Sequence, residues 1–188
     1  VKLEIGSASG GDLQIYHDGS HSFINDAGTG DLHILTNFFR VNNAADDEAM
    51  IHADDDDGVD LFFNGVKKFE TTAVGVTVTG TIIATTDTDT SNTGNVTLDF
   101  AANQNFVLTL TGNTTLVNPT TEQVGQSGFI AFIQDGTGGR TITLGTDYET
   151  AGGVGITLTS AASKTDLVPY VVVAANRILL GQPQRNFS

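Results

Sequence analysis

The sequence predicts an all-β chain, and three observations support this prediction. Thr and Val are abundant, Gly is frequent at 22 of 188 residues, and Pro is rare at 3. Short segments alternate apolar and polar residues with a period of two, as half-buried strands do. No segment repeats apolar residues at positions i, i+3 and i+4, so we expect almost no helix.

A repeated unit organises the first part of the chain. Three segments share the pattern Gly-x-Asp-Leu-x-apolar: GGDLQI (10–15), TGDLHI (29–34) and GVDLFF (58–63). Their spacing is too irregular for a solenoid, and it predicts similar hairpins joined by loops of different length.

Two dipeptides predict the turns of these hairpins. Asp18-Gly19 and Asn64-Gly65 each stand between alternating segments. A two-residue turn of type I′ needs positive φ at both central positions, which Asp, Asn and Gly tolerate. The first turn would pair His17 with Ser20 and place His21 on the face opposite His17.

The patterns divide the chain into three regions. Residues 1–83 form the hairpins and, over TTAVGVTVTGTII (71–83), a thin shaft of small residues in which several chains wrap together. Residues 84–93 are polar and of low complexity and predict a linker. Residues 94–188 predict a C-terminal β-sandwich or jelly roll, with turns at dipeptides such as Gly112-Asn113. Its predicted strands cover residues 95–100, 105–112, 127–135, 140–145, 155–160 and 168–181.

The N-terminal hairpins carry too little apolar mass to bury a core alone, because isolated hairpins are marginal in water. We therefore expect them to be stabilised by association of identical chains, as an intertwined homotrimer.

Charge and composition exclude several classes of partner. The net charge is −14, and the first 80 residues hold 14 acidic and 4 basic side chains. Such a surface repels nucleic acid and anionic lipid. No apolar run approaches the roughly 20 residues of a membrane helix. Cys is absent, which excludes disulfides and thiolate metal sites. The start at Val1, without Met or a signal peptide, predicts a processed chain or a fragment.

Several quoted segments carry a resemblance to phage proteins. DLQIYHDGSHSFINDAGTGDLHIL and VKKFETTAVGVTVTG resemble a repeat in tail-fibre and other virion proteins of marine bacteriophages, notably cyanophages. GNVTLDF, LTLTGNTTLVNPT, GQSGFIAFIQDGTGGRTITLG, AGGVGITLTS and the terminal NFS resemble a phage C-terminal module. Together these segments span nearly the whole chain.

The resemblance implies a virion structural protein, often a homotrimeric fibre with its C-terminal domain at the distal end. On this basis we expect the distal part of a tail fibre that contributes to host attachment. Its partners would be other virion proteins and a host surface glycan or outer-membrane protein, and it would be made in the host cytoplasm. The alternatives are a capsid-decoration or fibre-connector protein without a receptor role, an extracellular sheath or filament subunit, and a glycan depolymerase.

An acidic run is a candidate metal site. HADDDDGVD places Asp54, Asp55, Asp56 and Asp57 together, followed by Asp60. Clustered carboxylates suit Ca²⁺, although the run lacks the spacing of an EF-hand loop. The alternative is a solvated loop. Ca²⁺ is therefore the only cofactor that the sequence suggests.

The four histidines, His17, His21, His33 and His52, all lie in the N-terminal region. Ordinary polar strand positions are one interpretation. The other is that one of them lines a threefold axis and binds an ion together with its copies.

The sequence indicates that the chain is not an enzyme. Cys is absent and the histidines lie outside the C-terminal domain, so nothing suggests a nucleophile triad. A polysaccharide depolymerase would need two carboxylates about 5–9 Å apart. Turn-like contexts favour a capping role for most of the available carboxylates. These are Glu122, Asp135, Asp147, Glu149 and Asp166.

Three residues are candidates for receptor binding. Tyr148, in GTDYETAGG, would offer an aromatic face to a sugar, or else pack over a turn. Arg140 follows DGTGG and Arg177 follows AAN, so both flank loops where a ligand can be met. Tyr170, between LVP and VVV, is assigned to the core.

Overall fold

The structure, a computed structural model, describes residues 2–6 and 11–188. Val1 and residues 7–10, including the Gly10 that opens the first repeat unit, lie outside these ranges. Strands make up 52% of the structure and helix 2%, which confirms the all-β prediction. Within the described ranges, no helix has the length and apolar character that a membrane span requires. The chain divides into two compact units, Val1–Thr81 (unit 1) and Ile82–Ser188 (unit 2).

Unit 1 consists of two antiparallel sheets. The first has the order β1-β2-β3 and is formed by β1 (Lys2–Ile5), β2 (Leu13–His17) and β3 (Ser22–Asp26). The second has five strands in sequence order. They are β4 (Phe38–Asn42), β5 (Ala49–Asp54), β6 (Val59–Phe63), β7 (Val66–Thr72) and β8 (Gly75–Val78).

One of the two turns matches its prediction. Asn64 and Gly65 have φ of 51° and 69°, and they join Phe63 to Val66 as a two-residue turn. A type I′ turn requires positive φ at both central positions, and Asn64-Gly65 meets this requirement.

The other turn prediction is wrong, because His17 pairs with Ser22 instead of Ser20. The loop has four residues, 18–21, since the Asp18 carboxylate accepts hydrogen bonds from the backbone N–H groups of Ser20 and His21, both at 2.8 Å. Asp18 therefore acts through its side chain, as Asp commonly does in turns.

Two further expectations for unit 1 need correction. TGDLHI (29–34) forms no strand. No Asx-Gly turn follows it to bring a partner strand back. The expected shaft over 71–83 is instead the end of β7, a turn at residues 73–74 and the short strand β8, which pairs back onto β7.

Unit 2 contains one mixed eight-stranded sheet. Its central path is β12-β10-β11-β14-β15-β13, with β9 paired to β10 and β16 paired to β14. β10 runs parallel to β9, β11 and β12, and β13 runs parallel to β15. The strands are β9 (Thr86–Val96), β10 (Asn105–Leu116), β11 (Ser127–Gln134), β12 (Ile142–Leu144), β13 (Tyr148–Thr150), β14 (Thr165–Ala174), β15 (Arg177–Leu180) and β16 (Gln184–Phe187).

The core of unit 2 is built by even-numbered side chains of the central strands. Alternation places these residues on one face of β10, β11, β14 and β15. The segment between β9 and β10 adds Leu98 and Phe100 to the same core. The buried side chains of the four strands include Phe106, Leu108, Leu110, Ile130, Phe132, Val168, Tyr170, Val172, Ile178 and Leu180.

The predicted linker over 84–93 is largely strand. β9 pairs in parallel with β10, and Asn92 is 1% exposed. The Asn92 amide donates to the carbonyl oxygens of Asp89 and Thr109, at 3.2 and 3.1 Å. A polar segment forms a strand here because hydrogen bonds to β10, rather than apolar side chains, hold it in place.

Three other details of unit 2 differ from expectation. Gly112 and Asn113 lie inside β10, where the register against β9 shifts between Leu110 and Thr114. Of the predicted strand 95–100, only the first two residues are paired, as the end of β9. Residues 155–160 form no strand, although Ile156 and Leu158 pack against the core.

Candidate functional site

Tyr148 lies in the core, so the prediction of an exposed loop aromatic is wrong. It opens β13 and pairs with Ile178 of β15, which draws it into the sheet. The residue is 5% exposed. Burial raises the pKa of its hydroxyl, and the nearby carboxylates of Asp147 and Glu122 raise it further. Tyr148 lines an open cleft, but at this low exposure the ring presents little surface on which a sugar can stack.

The hydroxyl of Tyr148 gives a test of this placement. It has no hydrogen-bond partner among the described residues, so Tyr148→Phe is expected to leave the free energy of unfolding unchanged or to raise it. Tyr170→Phe is the matched control, because its hydroxyl donates to the carbonyl of Gln104 at 2.5 Å. That variant should lose about 1 kcal/mol in urea unfolding followed by circular dichroism. An equal loss in both variants would contradict the structure.

Arg177 forms a two-pronged ion pair with Glu149. Its Nε lies 2.7 Å from Oε1 and its Nη2 lies 2.9 Å from Oε2. The guanidinium lowers the pKa of the Glu149 carboxyl through these hydrogen bonds. Both side chains remain substantially exposed, so Arg177 is accessible to a ligand.

Arg140 is held more tightly. Its Nη2 lies 2.8 Å from Oδ2 of Asp135, and its Nε contacts both carboxylate oxygens. The Gln134 side chain also accepts from the backbone N–H of Arg140 and donates to its carbonyl, both at 2.9 Å. Arg140 therefore closes the loop after β11.

The Asp135 carboxylate makes this loop sensitive to acid. The Arg140 guanidinium and the backbone N–H of Gly138 lower its pKa from 3.8 to about 2. A carboxyl with a lowered folded-state pKa stabilises the fold above its unfolded-state pKa, and the stabilisation is lost as the pH falls through the folded-state value. The contribution is thus complete above about pH 4 and disappears toward pH 2.

Asp135→Asn is therefore expected to lower stability at pH 7 and to flatten the fall in stability between pH 4 and pH 2. Asp99→Asn is the matched control, because Asp99 also accepts backbone N–H groups in a turn but has no ion pair within the described ranges. Urea unfolding at pH 2, 3, 4 and 7 measures both. Parallel pH curves for Asp135→Asn and the wild type would contradict the assignment.

An open cleft of about 690 Å³ lies beside the Arg177–Glu149 pair. β12 contributes Ile142, Thr143 and Leu144, β13 contributes Tyr148, Glu149 and Thr150, and residues 153–156 complete the lining. The cleft thus presents hydroxyls, a carboxylate and glycine-rich backbone beside several aliphatic side chains. These groups can hydrogen-bond a hydroxyl-rich ligand.

The acidic run lies at the turn between β5 and β6. Oδ1 of Asp54 accepts from the backbone N–H of Asp56 at 3.4 Å, and Oδ2 of Asp55 accepts from the Asn37 amide at 3.2 Å. In the described part of the chain, no three His, Cys, Asp or Glu side chains converge to hold an ion. The Ca²⁺ site at Asp54, Asp55, Asp56 and Asp57 stays a prediction.

The histidines have ordinary local contacts. His17 Nδ1 lies 3.2 Å from the Ser22 hydroxyl. His52 packs between the rings of Phe38 and Phe62, with centroid distances of 5.2 and 4.8 Å. Whether any of them lines a symmetry axis stays a prediction.

The chain is similar to one known family over part of its length. Residues 85–173 match the family model described as "Putative phage tail fibre C-terminal domain". The match supports a structural protein of a phage tail fibre, and thus a component of the virion that associates with other virion proteins. No curated protein and no solved structure matches the chain.

The tail fibre match covers most of unit 2, including β9 and the cleft residues of β12 and β13. It begins one residue before β9, so all but the first residue of the segment 84–93, which the sequence assigns to a linker, belongs to the matched stretch. The resemblance of the N-terminal repeat to marine phage proteins stays a prediction.

Five acidic side chains considered for a depolymerase site lie in the matched stretch. Most of them bind backbone N–H groups or arginine side chains. Oε1 of Glu122 accepts from the backbone N–H of Asn176 at 2.9 Å. Asp166, 1% exposed, accepts from the backbone N–H and hydroxyl of Thr159 and from the backbone N–H of Asn186. Asp147 is also buried. With Asp135 and Glu149 in ion pairs, four of the five carboxylates have clear local anchoring roles.

The sequence interpretation missed the cleft and the anchoring role of Asp166. Thr143 and Thr150 are isolated threonines in a Thr-rich sequence, so no local signal distinguishes them. Asp166 gave only a weak signal, as an acid within an apolar alternation.

Proposed function

We propose that the chain is the distal part of a trimeric phage tail fibre that contributes to attachment to a host surface. The observation that carries the proposal is the match of residues 85–173 to a tail fibre C-terminal domain. Three copies would bind by avidity, so each site can be weak.

The cleft beside Glu149 is the proposed receptor site, and the proposed ligand is a surface glycan. Thr143, Thr150 and the Glu149 carboxylate line it, and such groups bind sugar hydroxyls. Arg177 can exchange Glu149 for an acidic group of the ligand because its side chain is 54% exposed. Arg140 is less available, since its side chain is half as exposed and bound to Asp135. Tyr148 would act by supporting β13 from within.

Adsorption to cells tests the receptor site. The probe is the fluorescently labelled chain, applied to a panel of intact cyanobacterial and other marine bacterial strains. Thr143→Arg fills the cleft and is expected to reduce adsorption at least tenfold. Thr90→Arg makes the same change at an exposed position of β9 and should adsorb like the wild type. Equal adsorption of both variants would exclude the cleft. A trimer that adsorbs to no strain would favour a capsid-decoration or fibre-connector protein.

Light scattering tests the assembly. The chain has a mass of 19.7 kDa, and we expect a particle of three copies, about 59 kDa, that resists dilution. A stable monomer would contradict the trimeric fibre.

A further inference from the structure

Residues 156–160 lie against the core of unit 2 without joining its sheet. Ile156 and Leu158 pack against the core, yet their backbone groups form no hydrogen bond within the described chain. The carbonyl oxygen of Thr157 meets only Nη1 of Arg185, at 3.4 Å. Backbone N–H and carbonyl groups need a partner, so those of this segment are available to water or to a ligand.

Three grooves flank this segment, and we call them the basic grooves. The first, of about 300 Å³, separates it from residues 139–142. The second and third, of about 400 and 530 Å³, separate it from the residues around Arg185. Residues 154–156 line both the second groove and the cleft beside Glu149. The cleft therefore continues into the basic grooves.

The basic grooves differ in charge from the chain as a whole. Arg140 lines the first groove and Arg185 lines the other two, whereas no acidic side chain of the described residues lines any of the three. Residues 150–188 hold three basic side chains and a single acidic one, the buried Asp166. In a chain of net charge −14, this local excess of positive charge is a place where an anionic group is attracted.

Arg185 is the cation of the grooves that is available to a ligand. Its side chain is exposed and has no acidic partner among the described residues. Arg140, in contrast, is held by the Asp135 carboxylate at 2.8 Å. A guanidinium presents five N–H donors in a planar fork that matches the oxygen atoms of a carboxylate or a sulfate. Arg185 has nearly all of these donors to offer.

A buried carboxylate fixes the shape of the third groove. Asp166 accepts from the backbone N–H and the hydroxyl of Thr159 on one wall, and from the backbone N–H of Asn186 on the other. The Ser160 hydroxyl and the Asn186 amide line the same groove. Both groups can hydrogen-bond sugar hydroxyls. A preformed groove lowers the entropy that a ligand must lose to bind.

We propose that the basic grooves extend the receptor cleft and bind the carboxylate or sulfate groups of an acidic surface glycan, with Arg185 as the anchor. This inference rests on the proposed function and specifies the class of glycan. Hydroxyls, amides and a guanidinium provide most of the lining at Arg185. A peptide ligand fits less well, because its anchor side chains need buried apolar pockets.

Binding of the purified full chain to immobilised dextran sulfate tests the site. Unmodified dextran is the neutral control, because it has the same sugar backbone. At low ionic strength the wild type is expected to bind dextran sulfate and not dextran. Arg185→Glu should weaken this binding at least tenfold, since it replaces the fork with a carboxylate that repels sulfate. Lys68→Glu makes the same change of charge at an exposed position of unit 1 and should bind within twofold of the wild type.

The Arg185→Glu variant should keep the circular dichroism spectrum and the urea midpoint of the wild type, because its side chain is exposed and its hydrogen bond is long. Ser160→Glu is a second test that leaves Arg185 in place. It puts a carboxylate into the third groove and should also weaken binding at least tenfold. Equal binding by Arg185→Glu and Lys68→Glu would overturn the proposal, and so would a wild type that does not bind dextran sulfate.

The outcome is separable from that of the proposed function. Binding to dextran sulfate that depends on Arg185, together with adsorption to no cell strain, would keep the anion site and reject host attachment. Cell adsorption that Thr143→Arg abolishes and Arg185→Glu leaves intact, without binding to dextran sulfate, would keep the receptor cleft and reject the basic grooves.

Discussion

Phe106→Ala is expected to lower the free energy of unfolding of unit 2 by about 4 kcal/mol. Phe106 is 0% exposed. Its ring meets that of Phe100 edge to face, with centroids 5.0 Å apart, and lies 6.3 Å from the ring of Tyr170. Alanine removes these contacts and leaves a cavity that the surrounding strands can fill only in part.

Phe187→Ala is the matched control for this prediction. Phe187 lies in β16 of the same unit and is 49% exposed, so its loss should cost about 1 kcal/mol or less. Urea unfolding by circular dichroism measures both variants. A difference of under 1 kcal/mol between them would show that Phe106 is not at the centre of the core.

Asn92→Asp is expected to destabilise unit 2 by about 3 kcal/mol at pH 7. The buried amide donates to two backbone carbonyls, those of Asp89 and Thr109. A carboxylate there cannot donate, and it would place a negative charge beside two carbonyl oxygens away from water. The loss should shrink at low pH, where the protonated acid is neutral and regains a donor.

Asn95→Asp makes the same chemical change in the same strand at an exposed position. It should alter stability by less than about 0.5 kcal/mol. Thermal unfolding at pH 3 and pH 7 compares the two variants. Equal effects at pH 7 would mean that residues 86–96 are solvated, as a linker would be.

The strands that sequence analysis located are those with an apolar face. Residues 105–112 and 127–135 alternate strongly, and both form strands whose even-numbered residues enter the core. β9 was missed because most of its side chains are exposed: only Asn92 is fully buried, and only Val96, at its end, is an apolar residue packed against the core. Alternation of apolar residues reports burial of one face, so it misses a strand that is held by backbone hydrogen bonds.

The candidate site was harder to predict because its contacts join distant segments. Tyr148 has acidic neighbours on both sides, which suggested a loop, but parallel pairing with Ile178 brings it into the core. Glu149 meets Arg177 across 28 positions. The sequence marked Tyr148 and Arg177 as candidate binding residues. It carried no information about which distant residues they contact.

The parallel arrangement around β10 has a consequence for how the protein folds. β10 has no hairpin partner, because its neighbours β9, β11 and β12 all run in the same direction and return to it through connecting segments. Loops must close before these pairings yield any stabilisation, so we expect unit 2 to fold slowly. The antiparallel strands of unit 1 are sequential and can form in microseconds. The rate at which unit 2 folds would then limit how quickly newly made chains become ready for the virion.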